Sequence, residues 1–152
     1  MIQSEEEFRR LLAKRDGGKV TYGYELRSKL EKDRILESFI EQMGHNGENV
    51  WNFRHIGKAY AAKILTYAIS TNMTHNIDLP SKPWAEKLSA YFVDQFQPEV
   101  MFYTNGHFDS NGELLKLYSW ATISKSKWNT IDTGVIALDN DKIGILWAMD
   151  PL

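Results

Sequence analysis

Reaction chemistry in this chain would have to come from four histidines, a scatter of carboxylates and two short glycine-bearing segments. His45, His55, His75 and His107 are separated by 10, 20 and 32 residues. Zinc sites built on one segment place their ligands a few residues apart, so these spacings match no common metal pattern. Cysteine is absent, which removes thiolate ligands, disulfides and a cysteine nucleophile. His107-Phe108-Asp109 sets an imidazole two residues from a carboxylate, the pieces of an acid–base pair. Ser110-Asn111-Gly112 follow directly, and the whole segment reads more simply as a turn. Gly17-Gly18 lies among Lys14, Arg15 and Lys19, a setting that would suit a phosphate. A phosphate loop needs more glycines at defined spacing and a helix after them, whereas these two end a helical pattern. The expectation is therefore a non-enzyme with no catalytic residues, no bound metal and no cofactor.

What the reactive residues do not supply, the turns do. Four extended runs rich in β-branched and aromatic residues close the chain: Val100–Gly106, Leu114–Ser124, Ile131–Leu138 and Ile143–Asp150. Asp109-Ser110-Asn111-Gly112 forms the first connection and Asp139-Asn140-Asp141-Lys142 the third. An up-and-down meander puts its first and third turns at one end. Asp109, Glu113, Asp139 and Asp141 would then make an acidic tip, with Lys125 and Lys127 at the other end. Turns favour Asp for local reasons, but four acids around one end also suit electrostatic steering of a basic protein. Alternation along Leu114–Ser124 sets Tyr118 and Trp120 on one face, a candidate aromatic contact patch. In the last run, Ile143, Ile145, Trp147 and Met149 separate from Gly144, Leu146, Ala148 and Asp150. Both sheet faces thus carry apolar groups, and the plainer reading is that helices and loops wrap parts of both.

The elements that hold this sheet come first in the chain. Ser4 with Glu7 has the form of a capping box opening a helix over Glu5–Lys14, ended by Gly17-Gly18. A second helix is expected over Glu25–Met43, with Gly44 as its stop, and a third over Trp51–Thr71. Ser81 caps a fourth, Pro83–Phe96, with an aromatic face. Lys19–Tyr24 is ambiguous between extended and irregular. Helices first and strands after give an α+β class: about four helices followed by a four-stranded antiparallel C-terminal meander. Residues 1–152 form a single domain, helical over about 4–96 and sheet over about 100–150.

The totals narrow the partners. At 43% hydrophobic and 25% charged the composition is that of a soluble globular chain. No apolar run approaches the roughly 20 residues of a membrane helix, and the acidic start Ser4-Glu5-Glu6-Glu7 has no secretory pattern. A cytoplasmic protein with no membrane partner is expected. Residues 1–76 hold 12 Lys/Arg and 10 Asp/Glu, and residues 77–152 hold 6 and 10. The sheet half is the acidic one, which argues against nucleic acid as its partner.

The closing segment carries a resemblance. Thr130-Ile131-Asp132-Thr133-Gly134-Val135-Ile136-Ala137-Leu138-Asp139, then Lys142-Ile143-Gly144-Ile145-Leu146-Trp147-Ala148-Met149-Asp150, resembles the end of small bacterial immunity proteins. These accompany polymorphic toxins, including those of contact-dependent growth inhibition. The shared pattern is a Thr/Asp-Gly strand, a short turn and an Ile-Gly-Ile-Leu-Trp strand finishing near acidic residues; this chain departs from it in Asp150-Pro151-Leu152. The resemblance implies a cytoplasmic inhibitor that binds its cognate toxin stoichiometrically and blocks the active site or an adjacent exosite. Such toxins are often nucleases, and nucleases are commonly basic because they bind phosphates. Two other classes stay open: a small enzyme with a pocket between helices and sheet, and a dimeric adaptor protein.

Overall fold

The computed structural model describes residues 1–116, 121–126 and 129–152. Among them the class is α+β, with four α-helices around a mostly antiparallel sheet. Helix α1 spans Glu5–Leu12; the Ser4 hydroxyl accepts the Glu7 amide at 3.1 Å, while the Glu7 carboxylate reaches back to the amide of Gln3. Strand β1 is Lys19–Leu26 and helix α2 is Ile35–Gln42. Strand β2, Arg54–Ile56, precedes helix α3, Lys58–Ser70. Strands β3 (Thr71–Asn72) and β4 (Ile77–Asp78) make a small ribbon before helix α4, Ala85–Val93. Strands β5 (Met101–Thr104), β6 (Gly106–Phe108), β7 (Leu114–Lys116), β8 (Thr130–Leu138) and β9 (Lys142–Pro151) follow.

The main sheet has five strands in the order β1-β9-β8-β5-β2, all antiparallel, beside two two-stranded ribbons. The expected four-stranded C-terminal meander is corrected on two counts. First, the helical half of the chain contributes both edges of the sheet. β1 runs beside β9 from Lys19↔Met149 to Leu26↔Lys142; Val20, Tyr22 and Tyr24 alternate with Thr21 and Gly23, a period of two that belongs to a strand. The expected helix over Glu25–Met43 therefore begins only at Ile35, although Gly44 does stop it, at φ +90°. β2 likewise takes the start of the expected third helix, and Gly57 caps what is left. Second, the expected strand Leu114–Ser124 does not enter the sheet. Only Leu114–Lys116 is extended, paired with β6; residues 117–120 lie outside the described residues, and 121–124 are not strand.

The expected first strand is split at Asn105. Its side-chain amide donates to the carbonyls of Ala121 and Asp132, and its oxygen accepts from the Thr133 hydroxyl. The Thr104 hydroxyl donates to the Gly134 carbonyl at 2.6 Å. Side chains here satisfy groups that a continuing ladder would have paired.

Both faces of the sheet are covered. On one, Phe8 and Leu12 of α1, Ile64 and Leu65 of α3, and Leu88 and Phe92 of α4 pack on Val135, Ala137 and Leu146. On the other, Phe39 and Ile40 of α2 pack on Ile136, Ile143, Ile145 and Trp147. Ser81 does not cap α4; its hydroxyl donates to the Ile69 carbonyl and ties the end of α3 to the next segment. No helix among the described residues is long and apolar enough to cross a membrane.

Trp147 fits because Gly134 faces it across the β8–β9 ladder. A Cβ at 134 would overlap the Leu146 carbonyl and lie 2.5 Å from Trp147 Cα. Gly134→Ala should therefore cost about 1–3 kcal/mol, the range for overpacking a filled interior. Urea melts of the two proteins check this, and an unchanged midpoint would mean the strands separate freely there.

Candidate partner-binding surface

The four acids expected at one tip are parted by the topology. β5 pairs directly with β8, Met101↔Leu138 through Tyr103↔Ile136. It therefore starts beside the turn that ends β8 and runs away from it. Asp139 and Asp141 lie on that turn; Asp109 and Glu113 lie on the β6–β7 turn, beyond the far end of β5. Tyr118 and Trp120 are outside the described residues, as is Lys127.

The acids also differ in what they are free to do. Asp139 is buried, and its carboxylate accepts the amides of Asp141 and Lys142 at 2.8 Å and of Gln97 at 3.0 Å. Burial pushes its carboxyl up, but the three amide bonds outweigh that and hold it below the usual carboxylate range. It is a turn builder. Asp109 does the same for the amides of Asn111 and Glu113. Glu113 and Asp141 are exposed, and Asp141 accepts from the Gln97 side-chain amide.

Beside the Asp139 turn lies a surface that the sequence reading missed. Phe102 is buried under α3 and α4, so its neighbours Met101 and Tyr103 face the other side of the sheet. Met101 is 40% exposed, and the Tyr103 hydroxyl donates to its sulfur at 3.6 Å. On the edge strand β2, exposed His55 sits opposite Tyr103, with ring centroids 5.6 Å apart. Trp51, 87% exposed, lies three residues before the start of that strand. Glu99 joins the surface to the turn by accepting the Asn140 amide, and Arg27 donates to the Asp139 carbonyl. Alternation in Met101-Phe102-Tyr103 carried the signal, but it became readable only once Arg54–Ile56 was known to be a strand.

The interior carboxylates, by contrast, are committed. Arg15 and Asp150, both fully buried at the side chain, form a two-pronged ion pair at 2.7 and 2.8 Å. The guanidinium also donates to the carbonyls of Ala68 and Thr71, and Asp150 accepts the Met73 amide. On the opposite face Asp132 accepts from the Thr122 hydroxyl, the Ile123 amide and, at 2.8 Å, the Trp147 indole. Lys116 donates to the Met73 sulfur. Burial pulls its ammonium down to about 8, against the attraction of Asp132 and Asp150.

Asp132 gives a pH test. Burial pushes its carboxyl up, against the bonds from Thr122, Trp147 and Ile123. The fold then holds a proton at pH values where the unfolded chain has released it. This contribution to stability is complete below the ordinary carboxylate pKa and is lost as pH rises through the raised value. Asp132→Asn should flatten that slope. Its carboxamide oxygen can still accept from Trp147 and Ile123 while its NH2 donates to Thr122. Melting temperatures from roughly pH 4 to pH 8 check this, and an unaltered slope would assign the titration elsewhere.

A cleft of about 540 Å³ opens between the end of α4 and the sheet, lined by Val93, Phe96, Phe102, His55 and Lys58 among others. Lys58 is paired with Asp94 at 2.7 Å. Among the described residues no three His, Asp or Glu side chains come together as metal ligands would. No family model, curated protein or solved structure matches this chain.

Proposed function

We propose that this chain is an immunity protein that binds and neutralises a cognate toxin, and that the Met101–Tyr103–His55 surface is its centre of contact. The observation that carries the reading is an exposed methionine and an exposed histidine ring beside the half-buried ring of Tyr103 at a sheet edge, with Glu99 and Asp141 at the rim. Protein interfaces combine such a centre with a polar rim, and methionine and aromatic side chains are enriched in them. The acidic rim suits the basic face of a nuclease domain, whose charge follows from phosphate binding. The resemblance of Thr130–Asp150 to immunity proteins points the same way. Of the acids first singled out, Asp141 lies on this rim, Asp139 builds the turn behind it, and Asp109 and Glu113 supply a separate comparison site.

The test takes as partner a toxin domain encoded next to this gene, which the immunity reading requires. The chain should form a one-to-one complex with it and restore growth to cells that express it. Glu99→Lys with Asp141→Lys should slow association and weaken its salt dependence, because exposed charges act mainly on the on-rate. Tyr103→Ala with Met101→Asp should speed dissociation. Asp109→Lys with Glu113→Lys should change neither rate by more than about twofold, since rim charges remote from a contact matter little. Equal losses at both turns would make the effect one of net charge and misplace the site. Absence of any complex with that toxin would sink the immunity reading.

A small enzyme is the second reading, favoured by the cleft between α4 and the sheet with His55 and Lys58 in its lining. A metabolite retained through purification and displaced by His55→Ala would support it.

A further inference from the structure

At the other end of β9, away from the partner surface, a second cleft of about 410 Å³ has a different chemistry. Its polar lining is Lys19, His45, Ser124, Lys125, Ser126 and Thr130, with Met149 and Pro151 as an apolar wall. Among the described residues two lysines and no carboxylate line it. Five stretches of the chain build it: the start of β1, the loop after α2, residues 124–126, the start of β8 and the end of β9. They are fixed to one another. The Asn46 amide donates to the Ile123 carbonyl, the Ser126 amide to the Ser124 hydroxyl, and the Leu152 amide to the Asn129 carbonyl.

His45 is 5% exposed, and its Nε2 shares a hydrogen bond with the Thr21 hydroxyl at 2.7 Å. Burial holds this imidazole below its usual range, and Lys19 and Lys125 push it the same way. Thr130 Oγ1 is also buried without a partner among the described residues. The cleft therefore gathers two ammonium groups, a buried imidazole and hydroxyls, that of Thr130 with unused hydrogen-bonding capacity. A phosphoryl group supplies what they lack: negative charge and several acceptor oxygens.

We propose that this cleft binds a small phosphomonoester, with Lys19 and Lys125 pairing with the phosphoryl oxygens, Ser126 donating to them, and the ester group resting on Met149 and Pro151. The volume exceeds what an inorganic anion fills, so the ester is held better than free phosphate. Binding places negative charge beside His45, which offsets the push of the two lysines. This site is independent of the partner surface, and its test needs no toxin.

The probes are inorganic phosphate, glycerol 3-phosphate and glycerol, titrated into the labelled protein and followed by amide shifts. The phosphates should move the amides of Gly18, Gly44, His45 and 124–126, and glycerol should move none. Lys19→Gln and Lys125→Gln, both at exposed positions, should each weaken binding about tenfold, as expected for a lost charge-assisted bond. Ser126→Ala guards against a fold effect of the lysine changes, and should weaken binding less while leaving the melting temperature in place. Shifts spread over all lysines, equal affinity for chloride, or no response to the lysine changes would each overturn the assignment. Tighter binding of phosphate than of glycerol 3-phosphate would overturn the ester part of it.

Discussion

Arg15→Met should remove about 3–5 kcal/mol of stability, the cost of leaving one partner of a buried pair without its counter-charge. The guanidinium spans the fold: it joins the segment after α1 to β9 through Asp150 and to the end of α3 through the carbonyls of Ala68 and Thr71. Removing it leaves the Asp150 carboxylate with the Met73 amide and, among the described residues, no cation in bonding contact. The double change Arg15→Met with Asp150→Leu should recover much of the loss, because an apolar pair of similar volume replaces the ions without stranding a charge. Denaturant melts of the three variants against the parent measure both quantities. If the single and double changes are equally damaging, the loss comes from the two carbonyls and the packing around the arginine, and the ion pair itself contributes little.

Trp147→Ala is expected to cost a similar 3–5 kcal/mol through the cavity it opens. The indole is 1% exposed, stacks on Phe53 with centroids 5.5 Å apart, and forms the floor on which α2 packs. Its Nε1 also donates to Asp132, so truncation both empties the core and strips a buried carboxylate of a donor. Trp147→Phe separates these effects: most of the volume stays, and only the donor goes. We expect the phenylalanine variant to lose about 1–3 kcal/mol, the cost of an unsatisfied buried polar group, and to shift its pH dependence because Asp132 holds its proton more tightly. A phenylalanine variant as stable as the parent would show that Asp132 does not depend on the indole.

The core placement of Trp147 was legible because it recurs at every second residue with Ile143, Ile145 and Met149, and burial follows that alternation. The helix stop at Gly44, the Ser4 cap and the long hairpin β8–β9 were legible for equally local reasons. What the sequence hid was pairing at a distance. Lys19–Leu26 and Arg54–Ile56 are short or interrupted by Gly23 and charged residues, and only their partners make them strands. Leu114–Lys116 shows the converse, a sequence suited to the sheet that pairs elsewhere because Asn105 and the Thr104 hydroxyl close the ladder beside it. The separation of the four acids follows from the pairing. One misplaced strand between β5 and β8 reverses the end at which every later turn lies, and so it joined Asp109 to Asp139. The Met101–Tyr103 surface was hidden by the same misreading, since its other half is β2.

The strand order has a consequence for how the protein comes to be folded. The two edges of the sheet belong to the first part of the chain and its centre to the last. Among the described residues β1 finds its only ladder partner in β9, more than a hundred positions later in the sequence. Translation adds about 5–20 residues per second, so on the ribosome β1 spends several seconds with its partner unmade. The sheet cannot assemble from its N-terminal end as a hairpin would. It must wait for β8 and β9 to leave the exit tunnel and then close around them, a late step with a large loop-closure cost. During that interval Val20, Tyr22 and Tyr24 are exposed on an unpaired strand. The nascent chain, more than the finished protein, is the form in which this sequence is open to aggregation and to chaperones.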